Sequence, residues 1–356
     1  MKRLGCIQII FVMFSVLPVF GQNDTINEAF AIEDTLSSDD FGLFTHEEIM
    51  ELSLRFDITH YTRKKPKEEY LEALLTYHLN DKDSVNKVIK LRSRGEFRNG
   101  YCDFPPIVVN FKKTEFRKAD LKEIEKMKLV THCKYGNEDN LLQEYLIYKL
   151  YNVLTDTSFR VRLLKMNYIN TFKKSKPISS YGFFIEPVTL LAERLKCFPV
   201  ESGALNQKNI LPAMMDRVAI FNYMIGNTDW SVPNQHNCKV LSMPGSDRPE
   251  LGMIIPYDFD YSGMVNANYA VPTEGLSIES VRDRLFLGIC RNEADYLNAV
   301  KEFSEKKEDF YQVIREFPYL NEKIKKEMTG YLDDFYAGFD KRNSIVNNFL
   351  NECKNF

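Results

Sequence analysis

The chain has 356 residues, 44% hydrophobic and 27% charged, with 16 Gly, 14 Pro and 1 Trp. That balance excludes a disordered chain, a collagen-like repeat and a polytopic membrane protein, and the length suffices for two units with a cleft between them. With 47 basic and 50 acidic residues the formal charge is -3, without the basic surplus that marks a nucleic-acid binder.

The chain opens on Met1, Lys2 and Arg3, followed by an apolar stretch over 7–20 that Gln8 interrupts and Pro18 softens. A membrane helix needs ~20 apolar residues, and this run is shorter and broken. It reads as a secretory signal cleaved after Gly21, which leaves no stable membrane span. Without it the chain has 45 basic and 50 acidic residues, a formal charge of -5. Residues 22–45 are polar and acidic and are expected to form a flexible leader.

Strand patterns come next. Leu52, Leu54, Phe56 and Ile58 alternate with Ser53, Arg55 and Asp57, the signature of a half-buried strand. Further candidates lie at 70–79, 85–92, 106–111 and 127–132, so the first half reads as an antiparallel meander. The period changes at Asp139, and 141–154 is apolar nearly all round, which predicts a buried helix. Strands resume at 158–165 and 181–186. After Pro187 the pattern is helical at 190–195, at 210–225 and from Glu293 onwards, with short strands at 238–242 and 252–255. This order predicts an α+β, two-lobed protein: a β-rich lobe over 46–186 with one inserted helix, then a mostly helical lobe over 187–356.

Six cysteines remain once Cys6 is removed with the signal, an even number that suits an oxidising compartment. Cys102 and Cys133 lie on neighbouring predicted strands and form the one expected pair. His132-Cys133 and His236-x-Cys238 lack the paired spacing of a zinc site.

There is no G-x-S-x-G elbow, no G-x-x-x-x-G-K-[ST] loop and no H-E-x-x-H. The second half instead carries Gly226-Asn227-Thr228-Asp229-Trp230, then His236-Asn237, then Pro256-Tyr257-Asp258-Phe259-Asp260. An Asp after a helix, an Asn at the start of a strand and a second Asp after the next strand follow the logic of phosphoryl transfer. The first Asp orients or deprotonates the acceptor hydroxyl, and the Asn and second Asp hold Mg²⁺ against nucleotide phosphates. Asp229 to Asn234 has the spacing of ordinary protein kinases, but Asn237 leads straight into a strand and is preferred; taken singly, such residues are common in turns. Such a site also needs a phosphate-binding cation paired with a carboxylate. Lys128 ends a predicted strand and Glu144 sits on the buried helix, with Lys126 a competing base. Arg94, Gly95 and Arg98 fall in a turn that could cover phosphates.

With Ala73-Leu74-Leu75-Thr76-Tyr77 ahead of the strand that runs into Arg94-Gly95, this series resembles the spore-coat CotH-type atypical kinases, and more distantly HipA-type and secretory-pathway casein kinases. The resemblance covers about residues 50–300 and rests on motif order. It implies a bilobal protein-kinase-like fold and a secreted or periplasmic enzyme moving the ATP γ-phosphate, with Mg²⁺ or Mn²⁺, to a hydroxyl of a protein or small molecule. By position it implies Asp229 as the catalytic Asp, Asn237 and Asp258 as metal ligands, Lys128 and Glu144 as the ion pair, and Phe184-Ile185-Glu186 as the adenine hinge. Trp230, Ser231 and the longer gap between Asp229 and Asn237 depart from related loops. Those departures leave open an altered acceptor or an exported pseudokinase that binds nucleotide without turnover; the alternative of a different class is an exported surface-assembly or binding protein that keeps the fold without the reaction.

Overall fold

Burial alternates residue by residue along β1 (Met50–Phe56), where Leu52, Leu54 and Phe56 point inward and Glu51 and Arg55 outward. The strand ends because Asp57 caps a helix: its carboxylate accepts from the His60 amide at 2.8 Å and starts α1 (Ile58–Lys64), so Ile58 is helical. The computed structural model describes residues 43–78, 84–111, 126–201, 205–245, 247–248, 250–340 and 344–355. The expected signal peptide and nearly all of the leader lie outside the described residues.

From β1 the sheet continues through β2 (Leu71–His78), β3 (Ser84–Ser93), β4 (Ile107–Asn110), β5 (Lys126–Val130), β6 (Val161–Asn170) and β7 (Ile178–Ile185), with the short helix α2 (Phe97–Tyr101) between β3 and β4. The strand order is β1-β2-β3-β4-β5-β7-β6, and it closes. Closure comes from a parallel pairing of β1 with β6, in register from Met50↔Leu164 to Phe56↔Asn170; the other barrel pairings are antiparallel. This corrects the expected bilobal kinase-like arrangement with an antiparallel-sheet lobe: the strands form a closed, mixed, seven-stranded barrel. Alternation identifies the buried face of a strand but carries no information on which distant strand lies beside it, so the β1–β6 seam is invisible in local pattern.

Inside the barrel pack Leu52, Leu54, Leu75, Leu91, Ile107, Leu129, Leu164, Met166 and Tyr168. Each side chain of this size contributes about 2 kcal/mol when removed from water. Gly182 permits the close approach of β5, β6 and β7, since a Cβ there would lie 3.1 Å from the Val130 carbonyl oxygen and 3.2 Å from Met166 Cγ.

The second core forms around α3 (Glu138–Leu154), α4 (Val188–Arg194) and α5 (Pro212–Ile225). Pro212 occupies the first turn of α5, where its missing N–H costs nothing. Gly226 ends the helix in the left-handed conformation, φ 65°. A three-stranded sheet of β8 (Phe198–Pro199), β9 (Cys238–Ser242) and β10 (Gly252–Pro256) lies in the order β10-β9-β8. The amphipathic helices α6 (Glu293–Glu305), α7 (Lys307–Glu316), α8 (Glu322–Asp340) and α9 (Ser344–Glu352) complete this core.

Cys102 and Cys133 form a disulfide, and a second joins Cys290 to Cys353, beside the pairing of Ile289 with Lys354. Cys197 and Cys238 are buried free thiols. Two disulfides are compatible with an oxidising compartment. No described helix is long and apolar enough to cross a membrane.

Candidate functional site

Asp229 comes after the left-handed Gly226 turn, its amide donating to Asn227 Oδ1 at 3.1 Å while Asn227 Nδ2 donates to Asn222 Oδ1 at 2.9 Å. The loop then doubles back: Ser231 and His236 exchange backbone hydrogen bonds at 3.0 and 2.9 Å across a tight turn. This turn absorbs the long gap and delivers both His236 and Asn237 to Asp229. His236 Nε2 lies 2.9 Å from Asp229 Oδ1, and Asn237 Nδ2 donates to Asp229 Oδ2 at 2.9 Å and to its carbonyl at 2.8 Å. Asn234 stays exposed in the turn, where its Oδ1 accepts from the His236 amide.

Asn237 leads into β9, and Asp258 leaves β10, its antiparallel neighbour. Pro256 is opposite Cys238, and the Tyr257 amide donates to the Asn237 carbonyl at 2.9 Å, so Asn237 and Asp258 stand at the two feet of one ladder. Both have left-handed backbones, φ 48° and 63°. Asn and Asp tolerate this conformation better than other side-chain-bearing residues, and such strain concentrates at functional positions. The Asp258 amide donates to Tyr148 Oη at 2.8 Å, which fixes it against α3. Phe259 is fully buried and packs edge-on against Tyr148 and Phe221, anchoring the loop.

Glu144 is buried on α3, and one carboxylate oxygen each from Glu144, Asp258 and Asp260 lie within 4.8 Å of one another. Arg98 of α2 is the cation among them: Nη2 donates to Glu144 Oε2 at 2.7 Å and Nε to Asp260 Oδ2 at 2.8 Å. Asp260 Oδ2 also accepts from Tyr269 Oη at 2.8 Å. Phe97 and Tyr101 of α2 stack on each other and meet Tyr269 at tilted and edge-on angles, with Phe97 also edge-on to Tyr261, holding Arg98 in place. Burial raises the Glu144 carboxyl to about 8, with Arg98 pulling the other way. Burial likewise raises Asp260, whereas at Asp258 the combined field of Arg98, Arg94 and Lys128 outweighs burial and lowers it. Close carboxylates driven apart in this way differ in how readily they ionise, Asp258 more readily than its two partners.

Lys128 of β5 does not pair with Glu144. Its ammonium sits 4.6 Å from the centre of the Tyr257 ring, which Lys239 also approaches at 5.7 Å. Burial and the neighbouring Arg94 lower Lys128 to about 8, with Asp258 opposing them. Lys126 is exposed at the start of the same strand. Gly95 is left-handed, φ 88°, and Arg94 lies in the field of Asp258 with a buried Nε that has no partner within the described residues. Lys128 is opposite Ile185, so the end of β7 comes beside it. The Glu186 side chain is held by Arg194 at 2.8 and 3.0 Å and by the Arg160 amide at 3.1 Å.

Sequence pattern placed Asp229, Asn237 and Asp258 together but assigned nothing to Asp260, Tyr269 or Tyr148. Asp260 carried one signal, its repeat of the Asp258 chemistry two residues on. Tyr269 carried none, because a tyrosine far along a loop looks like any surface aromatic.

The fold and site define a mixed α/β protein, a closed barrel joined to a helical core, with a buried carboxylate cluster countered by arginine and lysine. No family model matches the chain, and no curated protein matches it. Among solved structures it is similar to a Helicobacter pylori proinflammatory kinase, CtkA, at 12% identity over 77% of this chain and 90% of that one, with a TM-score of 0.39.

Proposed function

We propose that this protein is an exported phosphotransferase that uses ATP and Mg²⁺ or Mn²⁺ to phosphorylate a hydroxyl of a protein or small molecule. The observation that carries the reading is the convergence of Asp229, Asn237 and Asp258, two of them with left-handed backbones at the feet of one ladder. The residue order that resembles CotH-type kinases supports it as well.

The residues suit a hard divalent cation. Asp258 is partly exposed and lowered towards its ionised form, and Glu144 Oε1 is a buried oxygen with no partner within the described residues, on the same carboxylate cluster. Asn237 commits its Nδ2 to Asp229, leaving Oδ1 as its available donor atom. Bound there, the ion would neutralise charge on the nucleotide phosphates. Asp229 is oriented by His236 and Asn237 and is 30% exposed, so an acceptor hydroxyl can reach it. Its carboxylate takes the hydroxyl proton while the hydroxyl oxygen bonds the γ-phosphorus and the bond to ADP breaks. Lys128 and Arg94 offer positive charge to the phosphates.

A second reading, nucleotide binding without turnover, is favoured by one observation: Glu144 is held by Arg98 and not by Lys128. The experiment incubates purified protein with labelled ATP and Mg²⁺ or Mn²⁺, beside Asp229→Ala and Asp258→Ala. Phosphate transfer lost in both variants supports the enzyme. Thermal stabilisation by nucleotide that is lost in Asp258→Ala, without transfer, supports the second reading. Neither transfer nor stabilisation in the parent would end both.

A further inference from the structure

Between Asp156 and Glu186 the chain carries six basic residues and no acidic one, although its formal charge as a whole is -3. Three of the six, Lys173, Lys174 and Lys176, fall in the connection between β6 and β7, over 171–177, where every residue is exposed. Among the described residues none of the three has an ion-pair partner. Phe172 stands immediately before them and is 70% exposed.

The outward setting of Phe172 is built by the fold. The Thr171 amide donates to the Phe56 carbonyl at 2.9 Å and Asn170 Nδ2 donates to Thr59 Oγ1 at 2.9 Å, so β1 and α1 pin the start of the connection. The Phe172 amide then donates to Asn170 Oδ1 at 3.1 Å, which turns the chain away from the barrel. A second aromatic, Tyr135, is 68% exposed. It shares with Lys173 and Lys176 the lining of a cavity between α1, the Cys102–Cys133 disulfide and this connection, with His132 in its wall and Asp103 as the single acidic lining residue.

This face combines positive charge with apolar surface held in water. Lysines alone would suit any dissolved polyanion, but such a partner gives the Phe172 ring nowhere to be buried. A single-stranded nucleic acid is tracked by a groove with successive stacking platforms, whereas these residues form an exposed hairpin tip. A bilayer with anionic headgroups meets both needs, because the ring passes below the headgroups while the ammonium groups stay among them.

We propose that the β6–β7 connection docks the protein reversibly onto an anionic lipid surface, with Lys173, Lys174 and Lys176 among the headgroups, Phe172 inserted below them and Tyr135 at headgroup level. Each lysine held there strengthens binding about fivefold and burial of the ring adds about tenfold. The contact weakens as salt rises.

The test sediments purified protein with vesicles of phosphatidylglycerol and phosphatidylcholine in equal parts, and with phosphatidylcholine alone, beside Phe172→Ser and the double variant Lys173→Glu with Lys174→Glu. All three proteins share the apolar stretch over 7–20, so the differences among them report on the connection. The substitutions are at exposed positions and should leave the thermal midpoint unchanged. The parent is expected to prefer the anionic vesicles, the double variant to bind them at least about 25-fold more weakly, and Phe172→Ser about tenfold more weakly. Equal binding of the parent to both vesicles, or unchanged binding in either variant, overturns the proposal. Loss in the double variant with full binding by Phe172→Ser overturns it too, and would assign the lysines to a soluble polyanion, as would displacement of the vesicles by single-stranded DNA.

Discussion

Arg98 Nη2 lies 2.7 Å from Glu144 Oε2, so the carboxylate of the buried helix is engaged by an arginine from the turn after β3. The same guanidinium holds Asp260, and both its partners are nearly or fully withdrawn from water. Removing one member of such a set leaves buried charge without compensation. Arg98→Ala should therefore destabilise the protein by about 3–5 kcal/mol. Arg98→Met combined with Glu144→Gln and Asp260→Asn should recover most of that loss. Urea unfolding of the two proteins checks this; equal stability of Arg98→Ala and the parent would show that the cluster is not desolvated as described.

Lys128 gives a pH signature to nucleotide binding under the proposed function. Its folded value, about 8, lies below its ordinary one, so the folded protein binds fewer protons there between about 8 and 10.5. The associated destabilisation is fully present below about 8 and is relieved as pH rises towards 10.5. A phosphate held by the ammonium restores the proton. Nucleotide affinity should fall as pH rises through about 8, and Lys128→Arg, charged throughout this range, should flatten the profile. Calorimetric titration at a series of pH values measures both.

His132 sets part of the acid limb of stability. Its folded value, about 4, is below the ordinary 6.5, because burial penalises the imidazolium. The unfolded chain binds the extra proton between these values, so stability falls as pH drops from 6.5 to 4, by about 3 kcal/mol at most. His132→Gln should remove that component. The difference between the two pH–stability curves isolates it from the carboxylates that titrate in the same range.

Gly226 positions the Asp229 loop. Its φ of 65° suits glycine, and a Cβ there would come 2.0 Å from Tyr331 Oη, which donates to the Arg282 carbonyl at 2.9 Å. Gly226→Ala should cost about 2–4 kcal/mol and displace Asp229. A lower urea midpoint is expected, together with lower phosphate transfer if the proposed function holds. Tyr331→Phe, which removes the blocking oxygen, should restore part of the stability.

The disulfides close sequence separations of 31 and 63 residues. Chain-entropy arithmetic gives each about 4 kcal/mol. Replacing Cys290 and Cys353 by Ala should lower the thermal midpoint clearly and free α9 from residues 289–290, which hydrogen exchange of the Cys290 amide detects; that amide now donates to the Lys354 carbonyl at 3.1 Å.

Much of this protein is determined locally and was legible in its residues. The period-two run at Leu52, Leu54 and Phe56 made β1, and the all-round apolar run after Asp139 made a helix buried on every side. Cys102 and Cys133, on neighbouring predicted strands, are bonded. What sequence alone did not determine is whatever depends on residues far apart in the chain meeting in space. Leu54 beside Tyr168 closes a barrel where an antiparallel meander was expected, because strand pattern specifies a face and not a neighbour. Glu144 took Arg98 as its partner, and Arg98 took Asp260, since a desolvated carboxylate is met by whichever cation the packing brings within 3 Å. The cavity beside His132 has the same origin: its wall joins α1, the disulfide and the β6–β7 connection, which only the closed barrel brings together.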